Sequence, residues 1–240
     1  MTDARRAALA CLIDHAPAFP PASLPPREAV EEDRRARASE HAWLLRRLVW
    51  PASALAELGD EERELSIVLD GPYGGDPRAA SVETRWDAQL TTLIGEAYVE
   101  LPLGAGPEGH SIEERVAVLA ERGYRAKVRC GGEAVPTAAE LGGFLRACRE
   151  AGVPFKATAG LHHPLARDGA HGFLNVLAAC VFADEAALEG EVSLDEAALR
   201  WDGRSAGPKE LERVRRGAFV AIGSCSFFEP VEELRELGVL

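Results

Sequence analysis

The sequence has little of what marks a secreted or membrane protein. Its five cysteines are odd in number and none forms a Cys-x-x-Cys pair, which favours a reduced, intracellular protein. The charged start from Met1 to Arg6 and the short apolar run Ala7–Ile13 match neither a signal peptide nor a transmembrane helix. We therefore predict a cytoplasmic protein without a membrane partner.

Positive charge is also scarce overall. The chain has 27 Lys and Arg residues against 39 Asp and Glu residues, a formal net charge of −12, which argues against nucleic acid as the main partner. It has no Gly-x-Gly-x-x-Gly after its first predicted strand and no Walker loop, so a nucleotide-binding open sheet has no support. We predict no bound cofactor, and the sequence leaves the oligomeric state open.

Local metal-binding motifs are absent too. There is no His-x-His, no His-Glu-x-x-His and no cysteine pair at ligand spacing, so the prediction is that no metal is bound. The alternative is a cluster that only the fold would assemble, from Asp14, Glu100 and a histidine.

Short apolar runs alternate with helical stretches along the whole chain, without a linker or low-complexity segment. Alternating β and α elements indicate a parallel sheet whose strands are buried on both faces. Residues 78–95 are predicted to be a helix, because Val82, Trp86, Leu90 and Leu93 recur at helical spacing. The predicted strands are Ala10–Pro17, Arg47–Ser53, Leu65–Asp70, Ala97–Leu103, Tyr124–Cys130, Val153–Ala159, an uncertain seventh at Ala198–Asp202, and Ala218–Cys225.

Eight strands in 240 residues match a (β/α)8 TIM-like barrel, whose usual length is about 250 residues. We therefore predict an α/β fold with one barrel domain over residues 1–240, in which the seventh strand is uncertain. The alternative architecture is an open doubly wound sheet. In a barrel the active site lies at the carboxyl ends of the strands.

Two successive predicted strands direct cations to one place. Because side chains alternate along a strand, Lys127 and Arg129 share one face, and Lys156 and Thr158 share a face of the next strand. Inward cations in a chain of net charge −12 predict a small anionic substrate that carries a phosphate or a carboxylate. The segment Gly223–Phe227, at the end of the last strand, could add backbone N–H groups for the same anion.

Polar residues at the predicted strand ends complete the candidate site. The predicted catalytic residues are Lys156, Lys127, Glu100 and Asp14. The predicted substrate-binding residues are Arg129, Thr158, His162, His163, Ser224 and Cys225. Each has a structural alternative: Glu100 could neutralise Lys127 or Lys156 in a buried pair, and Asp14 could cap a turn. His162 and His163 are adjacent and cannot both point inward from an extended chain.

The segment Phe155-Lys156-Ala157-Thr158-Ala159-Gly160 resembles the Lys-Thr-Ser-Thr-Gly stretch on the sixth strand of deoxyribose-phosphate-type class I aldolases. The resemblance implies that Lys156 forms a Schiff base with a substrate carbonyl. That family has a second lysine on the seventh strand before Gly-Gly, whereas here Lys127 precedes Gly131-Gly132 on the predicted fifth strand.

Other parts of the chain carry weaker resemblances. The segments Lys127–Arg129, Phe155–Pro164 and Gly223–Pro230 are similar to segments of uncharacterised bacterial barrel proteins. The Lys-x-Arg strand also resembles the enolase superfamily, but the ordered metal carboxylates of that superfamily are missing from the following strands.

These observations leave three functional hypotheses. The first is a lyase that uses Lys156 as a Schiff-base nucleophile. The second is a metal-assisted or acid/base enzyme in which Lys127, Arg129 and Lys156 bind the anion. The third is a non-catalytic protein that binds an anionic metabolite. Burial and positive neighbours would lower the pKa of Lys156 and activate it, whereas pairing with Glu100 would keep it charged and inert.

Overall fold

The computed structural model describes residues 3–87, 90, 92–104, 109–132 and 135–240. In these ranges eight parallel strands close into a barrel, which confirms the predicted TIM-like architecture. They are β1 Ile13–His15, β2 Leu45–Pro51, β3 Leu65–Val68, β4 Ala79–Arg85, β5 Ala97–Glu100, β6 Arg125–Arg129, β7 Phe155–Thr158 and β11 Phe219–Ser224. The first six strands follow chain order, β6 pairs with β7, β7 pairs with β11, and β11 closes the barrel against β1.

Helices cover the outside of the barrel. They are α1 Ala4–Leu9, α2 Pro26–Ala38, α3 Ile112–Arg122, α4 Ala138–Ala151, α5 Phe173–Phe182, α6 Pro208–Gly217 and α7 Phe228–Glu236. Phe155 faces this layer: its ring meets Phe144 of α4 edge-on at 5.2 Å and stacks on Phe219 at 5.3 Å. Its neighbour Lys156 therefore points into the barrel. No helix in the described ranges is both long enough and apolar enough to cross a membrane.

Local signals position the helices that flank β6. Ser111 and Glu114 form a reciprocal capping box at the start of α3, and Thr137 and Glu140 form one at the start of α4. Both helices end at a glycine in the left-handed region. Because caps act within a few residues, these two helix starts can be read directly from the sequence.

The helix predicted over residues 78–95 is wrong, because none of its described residues is helical. Residues Ala79–Arg85 form β4, and residues 88, 89 and 91 lie outside the described ranges. The segment Ser81–Arg85 alternates polar side chains with Val82 and Thr84, which suits a strand that has a polar inner face. This correction makes β6 the sixth strand of the barrel and β7 the seventh.

The predicted seventh strand, Ala198–Asp202, is not part of the barrel. Residues Leu199–Trp201 form β9, the middle of an antiparallel sheet with β8 Val192–Leu194 and β10 Arg204–Ala206. Asp195 accepts hydrogen bonds from the backbone N–H groups of Ala197 and Ala198, which stabilises a tight turn between β8 and β9.

Two glycines after β6 and β7 allow the strand ends to approach each other. A Cβ atom at Gly131 would lie 2.8 Å from the Cα of Gly160, and the reverse holds for Gly160. No flexible side chain can relieve such a clash, because both atoms belong to backbone. The glycine that ends each predicted strand thus has a steric explanation.

We expect Gly131→Ala to lower the free energy of unfolding by about 1–3 kcal/mol, as overpacking does in a well-packed site. The matched control is Gly143→Ala in the interior of α4, where a new Cβ would meet only the Arg146 Nη2 atom at 3.9 Å. That variant should be stabilised by about 0.5–1 kcal/mol. Denaturant unfolding measures both values, and equal effects at the two sites would contradict the steric argument.

Candidate active site at the carboxyl ends of the strands

A cavity of about 640 Å3 opens where the carboxyl ends of the barrel strands meet. Residues of β2, β3, β4, β5, β6, β7 and β11 line it, and the loop after β1 adds Phe19 and Pro20. Lys127, Arg129 and Lys156 all reach this cavity, as their shared strand parity predicts. The arrangement matches the usual place of active sites in this fold.

Five charged side chains form a continuous network in the barrel, which we call the charged network: Asp14, Lys156, Glu83, Lys127 and Glu100. Lys156 Nζ donates to Asp14 Oδ2 at 2.7 Å and to Glu83 Oε1 at 2.6 Å. Lys127 Nζ lies 3.1 Å from Glu83 Oε2 and 2.9 Å from Glu100 Oε2. Glu83 therefore bridges the two lysines with its two oxygens.

The deep end of the charged network is ionised at neutral pH. Burial disfavours the charged form of Glu83, but the positive charges of Lys156 and Lys127 outweigh it and hold the pKa of this carboxyl at about 2. Burial likewise disfavours the Lys156 ammonium, yet Asp14 and Glu83 raise its pKa above the ordinary value. Ser66 supports the ionised carboxylate by donating to Glu83 Oε1 at 2.6 Å.

The lowered pKa expected of an activated Lys156 is wrong, and the alternative of a charged, paired lysine agrees with the structure except for the partner. The pKa of Lys156 is raised rather than lowered, because two carboxylates face it and its side chain is 0% exposed. Its partners are Asp14 and Glu83 rather than Glu100. Glu100 pairs with Lys127, the other of the two lysines that it was expected to neutralise. Asp14 caps no turn and instead anchors Lys156.

A layer of polar side chains closes the barrel beneath the charged network. Arg46 donates to Asp14 Oδ2 at 3.2 Å and to Glu96 Oε1 at 2.9 Å. The Tyr98 hydroxyl accepts from Arg125 at 3.0 Å, and burial raises the pKa of this phenol. Lys156 Nζ lies 5.2 Å from the centre of the Tyr98 ring, a favourable cation–π position. Described side chains thus enclose Lys156 from below, and the cavity lies on its other side.

Two arginines at the mouth of the cavity differ from the two lysines below them. Arg85 at the end of β4 and Arg129 at the end of β6 are exposed and line the cavity. In the part of the chain that the structure describes, neither makes an ion pair. With no carboxylate partner among the described residues, their guanidinium groups are suited to bind an incoming anion, which Arg does with paired N–H donors.

The other predicted binding residues divide into two groups. Thr158, His162 and Cys225 line the cavity. Burial lowers the pKa of His162, and its Nδ1 atom is buried without a hydrogen-bond partner among the described residues. The Thr158 hydroxyl donates to the Val128 carbonyl at 3.3 Å, so its proton already has an acceptor.

Ser224 and His163 do not line the cavity. Ser224 is buried with the opposite parity to Gly223 and Cys225, and its hydroxyl donates to the Ser226 carbonyl at 2.6 Å. The Ser226 hydroxyl in turn accepts from the Glu229 N–H at 3.2 Å, at the start of α7. An anion site at the backbone N–H groups of Gly223–Phe227 stays a prediction. His163 faces outward, with Nδ1 at 2.8 Å from Glu233 Oε1.

The side chains that the structure describes form one group with the spacing of metal ligands, and Asp14 and Glu100 are not part of it. Asp14 and Glu100 do not cluster there with a histidine; both contact lysines instead. His163, Glu229 and Glu233 place one ligand atom each within 4.8 Å of one another. Arg167 donates to Glu233 at 2.7 Å and lies beside His163, so a positive charge already engages two of these three residues.

Glu83 and Arg85 are the main site residues that the sequence prediction missed. Both lie on β4, which the helical spacing of Val82, Trp86 and Leu90 obscured. The alternation of Ser81, Glu83 and Arg85 with Val82 and Thr84 is the signal that could have revealed them.

Comparison of the sequence with protein-family models and with curated proteins finds no match. The fold and the site therefore define the class on their own: the protein is a TIM-like barrel with a charged cavity at the carboxyl ends of its strands. The aldolase resemblance of the β7 segment remains an expectation.

Proposed function

We propose that this protein is an enzyme that acts on a small anionic carbonyl compound by acid/base chemistry at the Lys127–Glu100 pair. The observation that carries the proposal is the position of this pair in one cavity with two arginines that have no described ion pair. A proton donor, a proton acceptor and an anion-binding group are the parts that such chemistry needs.

Binding of the anion is assigned to Arg85 and Arg129. A carboxylate or phosphate between two guanidinium groups would gain charge-assisted hydrogen bonds in a partly enclosed site. The buried cations offer less, because Lys156 and Arg46 already neutralise carboxylates of their own.

Chemistry is assigned to the next layer down. The Lys127 ammonium donates a hydrogen bond to the substrate carbonyl oxygen, and the Glu100 carboxylate removes a proton from the adjacent carbon. The electron pair of the broken C–H bond forms the C=C bond of an enolate, and the carbonyl π electrons move to the oxygen. Lys127 then gives that oxygen a proton, which leaves an enol, a neutral lysine and a protonated Glu100. Glu83, with a pKa of about 2, stays ionised throughout and holds Lys127 in place.

Schiff-base chemistry is the second candidate, and the structure favours Lys127 over Lys156 for it. The aldolase resemblance implies this role for Lys156, but the corrected strand order puts Lys156 on the seventh strand and Lys127 on the sixth, the strand that bears the reactive lysine in that family. Lys127 also reaches the cavity with 9% of its surface exposed, whereas Lys156 is fully buried. Glu100 would take the ammonium proton, and the free amine would attack the carbonyl carbon, whose oxygen takes one of the remaining amine protons and becomes a hydroxyl group. Glu100 would return its proton to that hydroxyl group, the C–O bond would break with loss of water, and the nitrogen lone pair would form the C=N bond of a protonated Schiff base.

Anion binding is tested with Arg85→Gln and Arg129→Gln. Each should raise the dissociation constant for pyruvate or a small phosphorylated aldehyde about 10- to 100-fold, because a hydrogen bond to a charged group contributes about 1.5–3 kcal/mol. The control is Arg213→Gln on α6, an exposed arginine that does not line the cavity. Isothermal titration calorimetry measures the constants. If only neutral or cationic compounds bind, the proposed substrate class is wrong.

A further inference from the structure

A second cavity, of about 440 Å3, adjoins the first. Arg85, Glu100 and Arg129 line both cavities. The two spaces therefore meet at the residues to which we assign anion binding and proton transfer, and a ligand held there would have one end near each space.

The second cavity differs from the first in its chemistry. Beyond the three shared residues, most of its described lining is apolar, namely Trp86, Leu101, Pro102, Leu103, Val135 and Pro136. The carboxylate of Glu140 accepts from the Thr137 N–H at 2.8 Å, so the capping box of α4 already engages it. The charges that this cavity offers a ligand are thus concentrated at the junction.

Val135 makes the apolar wall unusual. It is 47% exposed, one of the few large apolar side chains in the described ranges that remain so open to water. Apolar side chains that line a concave space next to a charged site are typical of ligand pockets, where a few polar groups orient an otherwise apolar ligand.

We propose that the second cavity is a subsite for the apolar substituent of the same ligand. The anionic carbonyl end would lie at Arg85, Arg129 and Lys127, and an alkyl or aromatic group would lie against Leu103, Val135 and Trp86. The substrate class narrows to small amphipathic anions, such as 2-oxo acids with a long or aromatic side chain. The assignment of the anionic end rests on the proposed function, whereas that of the apolar end rests on the second cavity.

The test is the dependence of affinity on chain length. Titration calorimetry with straight-chain 2-oxo acids, from pyruvate to 2-oxooctanoate, should show a dissociation constant that falls about fourfold per methylene over the first few carbons. Val135→Ser should reduce the affinity advantage of 2-oxooctanoate over pyruvate at least about threefold. The matched control is Leu237→Ser, because Leu237 is also 47% exposed and lies outside both cavities.

The outcomes separate the subsite from the proposed function. If all the 2-oxo acids bind with equal affinity, the subsite is overturned and the proposed function is not. The same conclusion follows if affinity rises with chain length but Val135→Ser and Leu237→Ser change that rise equally. The same titration with n-alkyl phosphates covers the case in which no 2-oxo acid binds. If those phosphates show the length gain and no 2-oxo acid binds, the subsite is supported and the carbonyl substrate is overturned. If neither series binds, both proposals are overturned.

Discussion

Replacing Lys156 with methionine should lower the free energy of unfolding by about 3 kcal/mol, the lower end of the range for breaking a buried ion pair. Methionine fills much of the space but leaves two carboxylates without their shared cation. The loss stays near the lower end because each carboxylate keeps one partner. Asp14 retains Arg46 at 3.2 Å, and Glu83 retains Lys127 at 3.1 Å. For a chain of this size the melting temperature should fall by about 6–12 °C.

The pH dependence of the same variant gives a second readout. Glu83 has a pKa of about 2 in the folded protein against an ordinary 4.5, so its contribution to stability is present above about pH 4.5 and is lost as the pH falls towards 2. Lys156 has a raised pKa, so its contribution is fully present at neutral pH and is lost only at strongly alkaline pH. The difference in the free energy of unfolding between wild type and Lys156→Met should therefore narrow as the pH falls from about 4.5 to about 2.

Two further variants control this prediction. Lys209→Met removes the third lysine of the chain, which is exposed on α6, and should change stability by less than about 0.5 kcal/mol. The double variant Lys156→Met/Glu83→Gln removes both charges of one pair and should recover part of the loss. If Lys156→Met is as stable as Lys209→Met, the charged network does not hold the barrel together in the way we describe.

Lys127→Arg should slow proton exchange at bound substrate about 100- to 10,000-fold, the usual contribution of a general acid or base. Arginine keeps a positive charge between Glu83 and Glu100 but does not give up its proton and cannot form a Schiff base. The measurement is the exchange of the methyl protons of pyruvate for deuterium in D2O, followed by proton NMR. Glu100→Gln, which removes the proton acceptor, should cause a loss of similar size.

Lys209→Arg is the matched control, because it makes the same substitution on the surface, and its exchange rate should equal that of the wild type. Borohydride reduction with pyruvate then separates the two mechanisms: an adduct on Lys127 indicates the Schiff base, and exchange without an adduct indicates acid/base catalysis. An adduct on Lys156 would contradict the assignment of the reactive lysine. Binding of the whole 2-oxo acid panel without exchange or turnover would instead favour the non-catalytic hypothesis.

Much of the barrel followed from the sequence because its signals are local. The capping boxes at Ser111 and Thr137 each span four residues, so they could be recognised without the fold. The inward direction of Lys127, Arg129 and Lys156 followed from the two-residue period of a strand. These positions needed only the correct identification of each strand.

Prediction from the sequence was wrong where a helical and a strand pattern overlapped, or where the strand's pairing partner could not be identified from local sequence. Val82 and Trp86 fit a helical period, and that spacing concealed β4 and, with it, Glu83. Ala198–Asp202 has the composition of a strand, but the composition does not say which sheet the strand joins.

The sequence by itself determined that two strands carry inward cations, since parity along a strand is a property of the local backbone. Only the tertiary structure decided what those cations do. Lys156 is 142 residues from Asp14 and 73 from Glu83 along the chain, yet barrel closure brings both carboxylates within 2.7 Å of its ammonium. Arg85 and Arg129, at the rim, have no such partner among the residues that the structure describes. Local sequence cannot distinguish a neutralised cation from an available one, because the distinction depends on which distant carboxylate the closed barrel places beside it.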